Sequence, residues 1–166
     1  MRQAIDEVLE KEIAADPSMG IRRFWAATLY LLTALFTLRV GGQALQRWLP
    51  QTWLPPFADW QGSAIGYPVL LAMQLLIIAA MALASHRAWK GTMRPTRAGV
   101  LAAYWTGGIY MAASIARPTI GILVPDSHPW FHAAISSAFH LVLASFVLAL
   151  ARYMGLSLAI RDGGAQ

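Results

Sequence analysis

Four apolar runs, each close to the ~20 residues that a helix needs to cross the hydrocarbon core of a bilayer, decide what this chain can become. They cover residues 24–40, 65–85, 99–116 and 130–153, and none contains Asp or Glu. The chain has 166 residues, 57% of them hydrophobic and only 13% charged. A soluble monomer of that size cannot keep so much apolar surface from water. Sustained alternation of apolar and polar residues is missing, which argues against a barrel. The expected fold is all-α: a bundle of four transmembrane helices within residues 21–155, preceded by a cytoplasmic segment (1–20) and followed by a short tail (156–166).

Punctuation at the ends of the runs supports helices. Tyr67-Pro68 and Ser127-His128-Pro129 put proline into a first turn, where its missing N–H costs nothing. Arg117-Pro118 ends or kinks the third span. The first helix either stops near Val40 or runs on through Gly41-Gly42 to Trp48, ahead of Pro50.

Four spans return the chain to the side where it began. Of the 13 Lys and Arg residues, ten fall on that side and three, Arg39, Arg47 and Arg117, on the other. By the positive-inside rule both termini are expected to be cytoplasmic. The same distribution accounts for the net charge of +5 without a nucleic-acid partner. The expected partners are membrane lipids and other membrane subunits. With no cysteine, disulfides, thiolate metal sites and Cys nucleophiles are excluded.

Ile5, Val8, Leu9 and Ile13 recur at helical spacing, so an amphipathic helix is expected before Asp16-Pro17. Acidic residues at 6, 7, 10 and 12 are wrong for a secretory signal. After the first span comes a loop rich in Trp and Pro, with Trp48, Trp53, Trp60 and Phe57 among Pro50, Pro55 and Pro56. Its tryptophans suit the headgroup level, where ring and N–H are both accommodated. Alternatively the loop folds over the bundle as a lid.

His140 is the ionisable residue nearest the bilayer midplane, where such groups are functional candidates. It could be the single axial ligand of a haem or chlorin, with Ser136 and Ala144 leaving room one turn away. It could relay protons or bond a ligand, or be a neutral imidazole bonded to a neighbouring helix. A second haem histidine at its depth is lacking: His86 is roughly 15 Å away along the membrane normal, at 1.5 Å per residue. His128 and His132, four apart, are weak metal candidates that Asp126 or Asp59 might complete; residues at a helix start are more often interfacial.

Arg39 and Arg117 sit within the apolar zone opposite the termini, with no intramembrane acid to neutralise them. With Gln43, Gln74 and His132 they could line a pocket for an anionic or carbonyl-bearing headgroup, since Arg presents a planar donor fork. The alternative is that both arginines snorkel to lipid phosphates. Gln74 needs a partner on another helix, and Tyr104, Tyr110 and His140 are the candidates. Small residues at Gly99, Ala103 and Gly107, and at Gly108, Ala112 and Ala116, permit close helix contact within the bundle or against another subunit.

The segments Leu54-Pro55-Pro56-Phe57, Trp60, Tyr67-Pro68, Gln74 and Phe139-His140-Leu141-Val142-Leu143 resemble a set of small uncharacterised bacterial four-helix integral membrane proteins. The likeness covers about residues 20–155 and implies a bacterial inner-membrane setting, but no activity. The chain also invites comparison with four-helix sterol-isomerase-like proteins, whose chemistry looks to buried carboxylates that this chain lacks. The expected function is a non-enzymatic accessory subunit or a binder of a lipid-like or quinone-like molecule. A redox or pigment-carrying subunit using His140 and a small transporter are the alternatives.

Overall fold

The computed structural model describes residues 17–60, 65–124 and 134–163. They form α1 (Pro17–Trp48), the short α2 (Phe57–Trp60), α3 (Tyr67–Trp89), α4 (Arg97–Leu123) and α5 (Ala134–Gly163). Apart from α2, each helix is long and apolar enough to cross a membrane, with 23 to 29 residues in the spanning portion. At 1.5 Å per residue the shortest reaches about 35 Å, more than a hydrocarbon core of ~30 Å. The chain has the build of a small membrane protein.

The helix ends differ from the limits of the apolar runs. α1 starts at Pro17 and passes unbroken through Gly41-Gly42 to Trp48, so residues 17–20 belong to the first long helix and not to a separate segment. α4 does not end at Arg117 but continues through Pro118 to Leu123. One lost backbone donor does not end a helix where leaving it would strip several carbonyls of partners in an apolar medium. α5 runs on from 153 to Gly163, taking in most of the expected tail. Apolar runs mark only the part of a helix that lies in hydrocarbon, whereas backbone pairing extends into the interface. The start of α3 is as expected, with Gly66 as N-cap and Pro68 in the first turn. The amphipathic stretch before Pro17 and Ser127-His128-Pro129 lie outside the described residues.

α1 packs on both α3 and α5, and α4 packs on α5. Although α3 and α4 are joined by a short turn, they share no extended interface. The last helix is therefore the middle one, flanked by α1 and α4. Buried positions recur every seven residues: Ala26, Thr33 and Val40 with Leu29, Phe36 and Gln43 on α1; Tyr67, Gln74, Met81 and Ala88 on α3; Gly107, Ser114 and Gly121 on α4; Ser137, Ala144 and Ala151 on α5. A repeat averaging 3.5 residues keeps one seam facing its neighbour in a left-handed bundle. These seams hold small and polar residues, while Leu38, Leu76 and Ile122 point outward. That is the arrangement expected when lipid, not water, surrounds the bundle.

Specific contacts fix the register. Gly107 lets α4 approach Leu148 of α5. Thr33 Oγ1 and Ser85 Oγ meet at 3.1 Å between α1 and α3. Each hydroxyl has one proton, so one donates to the other, and the second donates to its own helix at Leu29 O or Met81 O. The Tyr153 hydroxyl donates to Ala88 O at 2.7 Å, tying α5 to the last turn of α3. Arg97 and Asp162 pair at 3.1 Å on the exposed surface, where such a bridge contributes little. These last contacts gather at the end of the bundle where α1 starts and α5 finishes, termed the terminal end. The opposite end, holding Trp48, α2 and Tyr67, is termed the loop end.

Candidate functional site

Within the loop-end half, α1 carries a buried polar stripe, Arg39, Gln43 and Gln46, one turn apart on a single face. Arg39 lies 7% exposed and Gln43 is fully enclosed. The Arg39 guanidinium donates through Nη1 to Gln43 Oε1 and through Nη2 to the Trp60 carbonyl at 2.9 Å. Its carbon stands 5.7 Å from the centre of the Phe139 ring, a cation–π contact. Arg39 thus points into the bundle, held by an amide, a carbonyl and a ring.

This pairing orients the neighbouring amides. A guanidinium cannot accept, so Gln43 must turn its oxygen to Arg39. Gln74 then offers its nitrogen to that same oxygen, donating from Nε2 at 3.2 Å. The mate of Gln74 is therefore Gln43, not Tyr104, Tyr110 or His140. The remaining atoms, Gln74 Oε1 and Gln43 Nε2, are buried with no hydrogen-bond partner among the described residues. Such groups cost about 1–3 kcal/mol when left unmet.

On the facing helices, Tyr110 Oη and His140 Nδ1 are 2.5 Å apart, with their rings edge to face at 5.9 Å. Nδ1 of His140 is thus engaged with a neighbouring helix. Ser136, one turn before His140, accepts from Arg117 Nη1 at 3.5 Å. His86 lies at the other end of α3, 3.5 Å from the Tyr30 hydroxyl. Ala144 is completely buried, so the face one turn beyond His140 is filled by protein.

Between these groups lies a cavity of about 270 Å³, lined by α1, α3, α4 and α5. Arg39, Gln74, Tyr110, Ser136 and His140 supply its polar wall, and Phe36, Leu70, Met73, Ile77, Phe139 and Leu143 the apolar remainder. It sits where α3 and α4, lacking an interface of their own, leave α5 between them. Of the residues expected to form a pocket, Arg39, Gln74 and His140 share this cavity. Gln43 and Arg117 reach it through Gln74 and Ser136. His132 lies outside the described residues, as do His128 and Asp126. Among the described residues no three His, Asp or Glu side chains converge as metal ligands.

The Trp-rich loop divides. Trp60 is buried, its ring over Gly42, where a Cβ would stand 3.0 Å from the indole edge. Trp60 Nε1 donates to Pro55 O at 2.9 Å, and Gln46 Oε1 accepts from the backbone N–H of Gln51 at 2.9 Å, closing the loop onto α1. Trp48 and Trp53 are exposed, and Trp48 meets Tyr67 edge to face at 5.7 Å. Tyr67 also takes Phe57 edge-on, and Arg47 lies over the Phe57 ring.

Phe36, Phe139 and Leu143 are site residues that the sequence reading passed over. Ser136, Phe139, His140 and Leu143 recur at i, i+3, i+4 and i+7, one helix face. The same spacing links Phe36, Arg39 and Gln43, and a search for polar residues at heptad spacing in apolar helices would have found both stripes. Comparison of the chain with protein-family models, curated proteins and solved structures returns no match.

Proposed function

We propose that this chain is a non-enzymatic inner-membrane protein, an accessory subunit or carrier, that binds a lipid-like or quinone-like molecule in the loop-end half of the bundle. Its termini lie in the cytoplasm, so the site opens in the outer leaflet. The observation that carries the reading is Gln74 Oε1, a buried acceptor that finds no donor among the described residues, on the wall of an otherwise largely apolar cavity. A ligand that fits must bring a hydroxyl or N–H to Gln74 and an apolar body to Met73, Ile77 and Leu143. A quinol or a hydroxylated lipid headgroup has both parts. The break between α3 and α4 gives such a molecule sideways entry from lipid, and Trp60 covers the site from the loop end. Few, well-placed polar groups in an apolar cleft are the usual make-up of a small-molecule site.

The test is extraction and mass analysis of whatever accompanies the gently purified protein, alongside a visible spectrum. A stoichiometric quinol or hydroxylated lipid is expected, reduced about tenfold or more in Gln74→Leu and in Arg39→Gln, one unmet polar group being worth about 1–3 kcal/mol. Equal retention in wild type and both variants defeats the proposal. A visible absorption band that disappears in His140→Ala would replace it with a pigment or haem subunit.

A further inference from the structure

At the terminal end a second cavity, of about 160 Å³, lies between the start of α1 and the end of α3. Arg22, Arg23 and Lys90 line it with Trp89 and Gly91, over a floor of Ala26 and Ala88. Three cations thus share one small space, and among the described residues no acidic side chain lines it. Nε of Arg22 is buried and meets no acceptor among the described residues.

The end of α3 does not explain the arginines. A cation at a helix C-terminus usually serves the last carbonyls. Here three of the last four carbonyls are already served by other donors: His86 O by Lys90 N–H, Arg87 O by Thr92 N–H, and Ala88 O by both Gly91 N–H and the Tyr153 hydroxyl. Gly91 turns the chain with φ +66°, a conformation that a side chain would strain. A Cβ there would also stand 3.2 Å from Arg22 Nη2, so the glycine makes room for the guanidinium. Trp89, exposed and edge-on to Tyr30, is the kind of aromatic that settles at headgroup level.

We infer that Arg22, Arg23 and Lys90 form a binding site for a phosphate group, distinct from the loop-end cavity. Two guanidinium groups offer planar, multiply donating contacts to phosphate oxygens, and the Lys90 ammonium adds a point charge. The cavity admits a phosphate but not acyl chains, which would lie outside, against the exposed Phe24 and Trp89. Basic pockets between transmembrane helices are typical seats of anionic headgroups. The source of the phosphate is a lipid headgroup or a free phosphate ion.

The experiment is native mass spectrometry of the full chain in neutral detergent, titrated with phosphatidylglycerol, with and without millimolar inorganic phosphate. Wild type is expected to retain one phosphatidylglycerol, and Arg22→Gln with Lys90→Gln to retain about tenfold less, in line with loss of charge-assisted hydrogen bonds. Gly91→Ala keeps every charge but displaces the Arg22 guanidinium, so it should lose affinity too, with thermal melts confirming that both variants fold. Retention that survives inorganic phosphate assigns the site to a lipid; direct binding of inorganic phosphate that displaces the lipid assigns it to the free ion. Retention unchanged in the charge variant overturns the site. So does loss in the charge variant with none in Gly91→Ala, since that pattern reports general attraction and not a built pocket.

Discussion

Gly107 of α4 lies against Leu148 of α5 so closely that a Cβ at position 107 would fall 2.8 Å from Leu148 Cδ2 and 3.2 Å from the Leu148 backbone nitrogen. Its neighbour Gly108 has nothing within 4 Å of the corresponding point. Gly107→Ala should therefore destabilise the bundle by about 1–3 kcal/mol through overpacking. Gly108→Ala should be neutral or stabilising by up to about 1 kcal/mol through helix propensity. Reversible SDS unfolding in mixed micelles compares the two, and equal effects would contradict the assigned α4–α5 face.

The Trp60 ring depends on the bare backbone at Gly42. Gly42→Val should push the indole out, and with it the carbonyl that accepts from Arg39. The expected signature is local: hydrogen exchange at the Asp59 amide, which bonds Pro56 O at 3.0 Å, speeds about tenfold, equivalent to ~1.4 kcal/mol of local stability. Exchange within α4 should stay unchanged. A uniform increase across the helices would instead mean that the whole bundle had loosened.

Tyr153 is almost fully buried, and its hydroxyl shares Ala88 O with Gly91 N–H. Because the carbonyl keeps a partner, Tyr153→Phe should cost only about 0.5–1.5 kcal/mol, the net value of one hydrogen bond. Tyr153→Ala removes the ring as well and should cost about 3–5 kcal/mol. Thermal denaturation in detergent will order the three proteins, and a Phe variant as unstable as Ala would reverse the assignment of packing as the larger contribution.

Topology can be read without background because the chain contains no cysteine. Thr52 and Thr92 are exposed in loops at opposite ends of the bundle. With cytoplasmic termini, Thr52→Cys should react with a membrane-impermeant maleimide in spheroplasts, and Thr92→Cys only after permeabilisation. The opposite pattern would turn the protein over and put the Gln74 cavity in the inner leaflet.

The long helices were legible because hydrocarbon demands about 20 apolar residues and full backbone pairing. Several of their ends were not, since Pro17, Pro118 and residues 154–163 lie where hydropathy no longer reports on hydrogen bonding. Arg39, Gln43 and Gln74 stood out because polar groups are rare in such runs, and the structure joins them. Their mutual arrangement could not be read, as it follows from which helix neighbours which. The small-residue stripes show the same limit: sequence presents Gly107 and Gly108 alike, and only the position of α5 separates them.

The absence of an extended α3–α4 interface also bears on how the molecule is made. Adjacent spans emerge from the ribosome in turn, yet among the described residues α4 finds its packed partner only in α5, which follows it in the chain. Until that helix arrives, α1 and α3 can already hold each other while α4 waits in lipid with Ser114 and Arg117 unburied. Completion of the bundle is thus coupled to the synthesis of α5. Chains truncated after residue 124 and released into the membrane should expose α4 to membrane proteases, whereas those that include α5 through Gly163 should resist them.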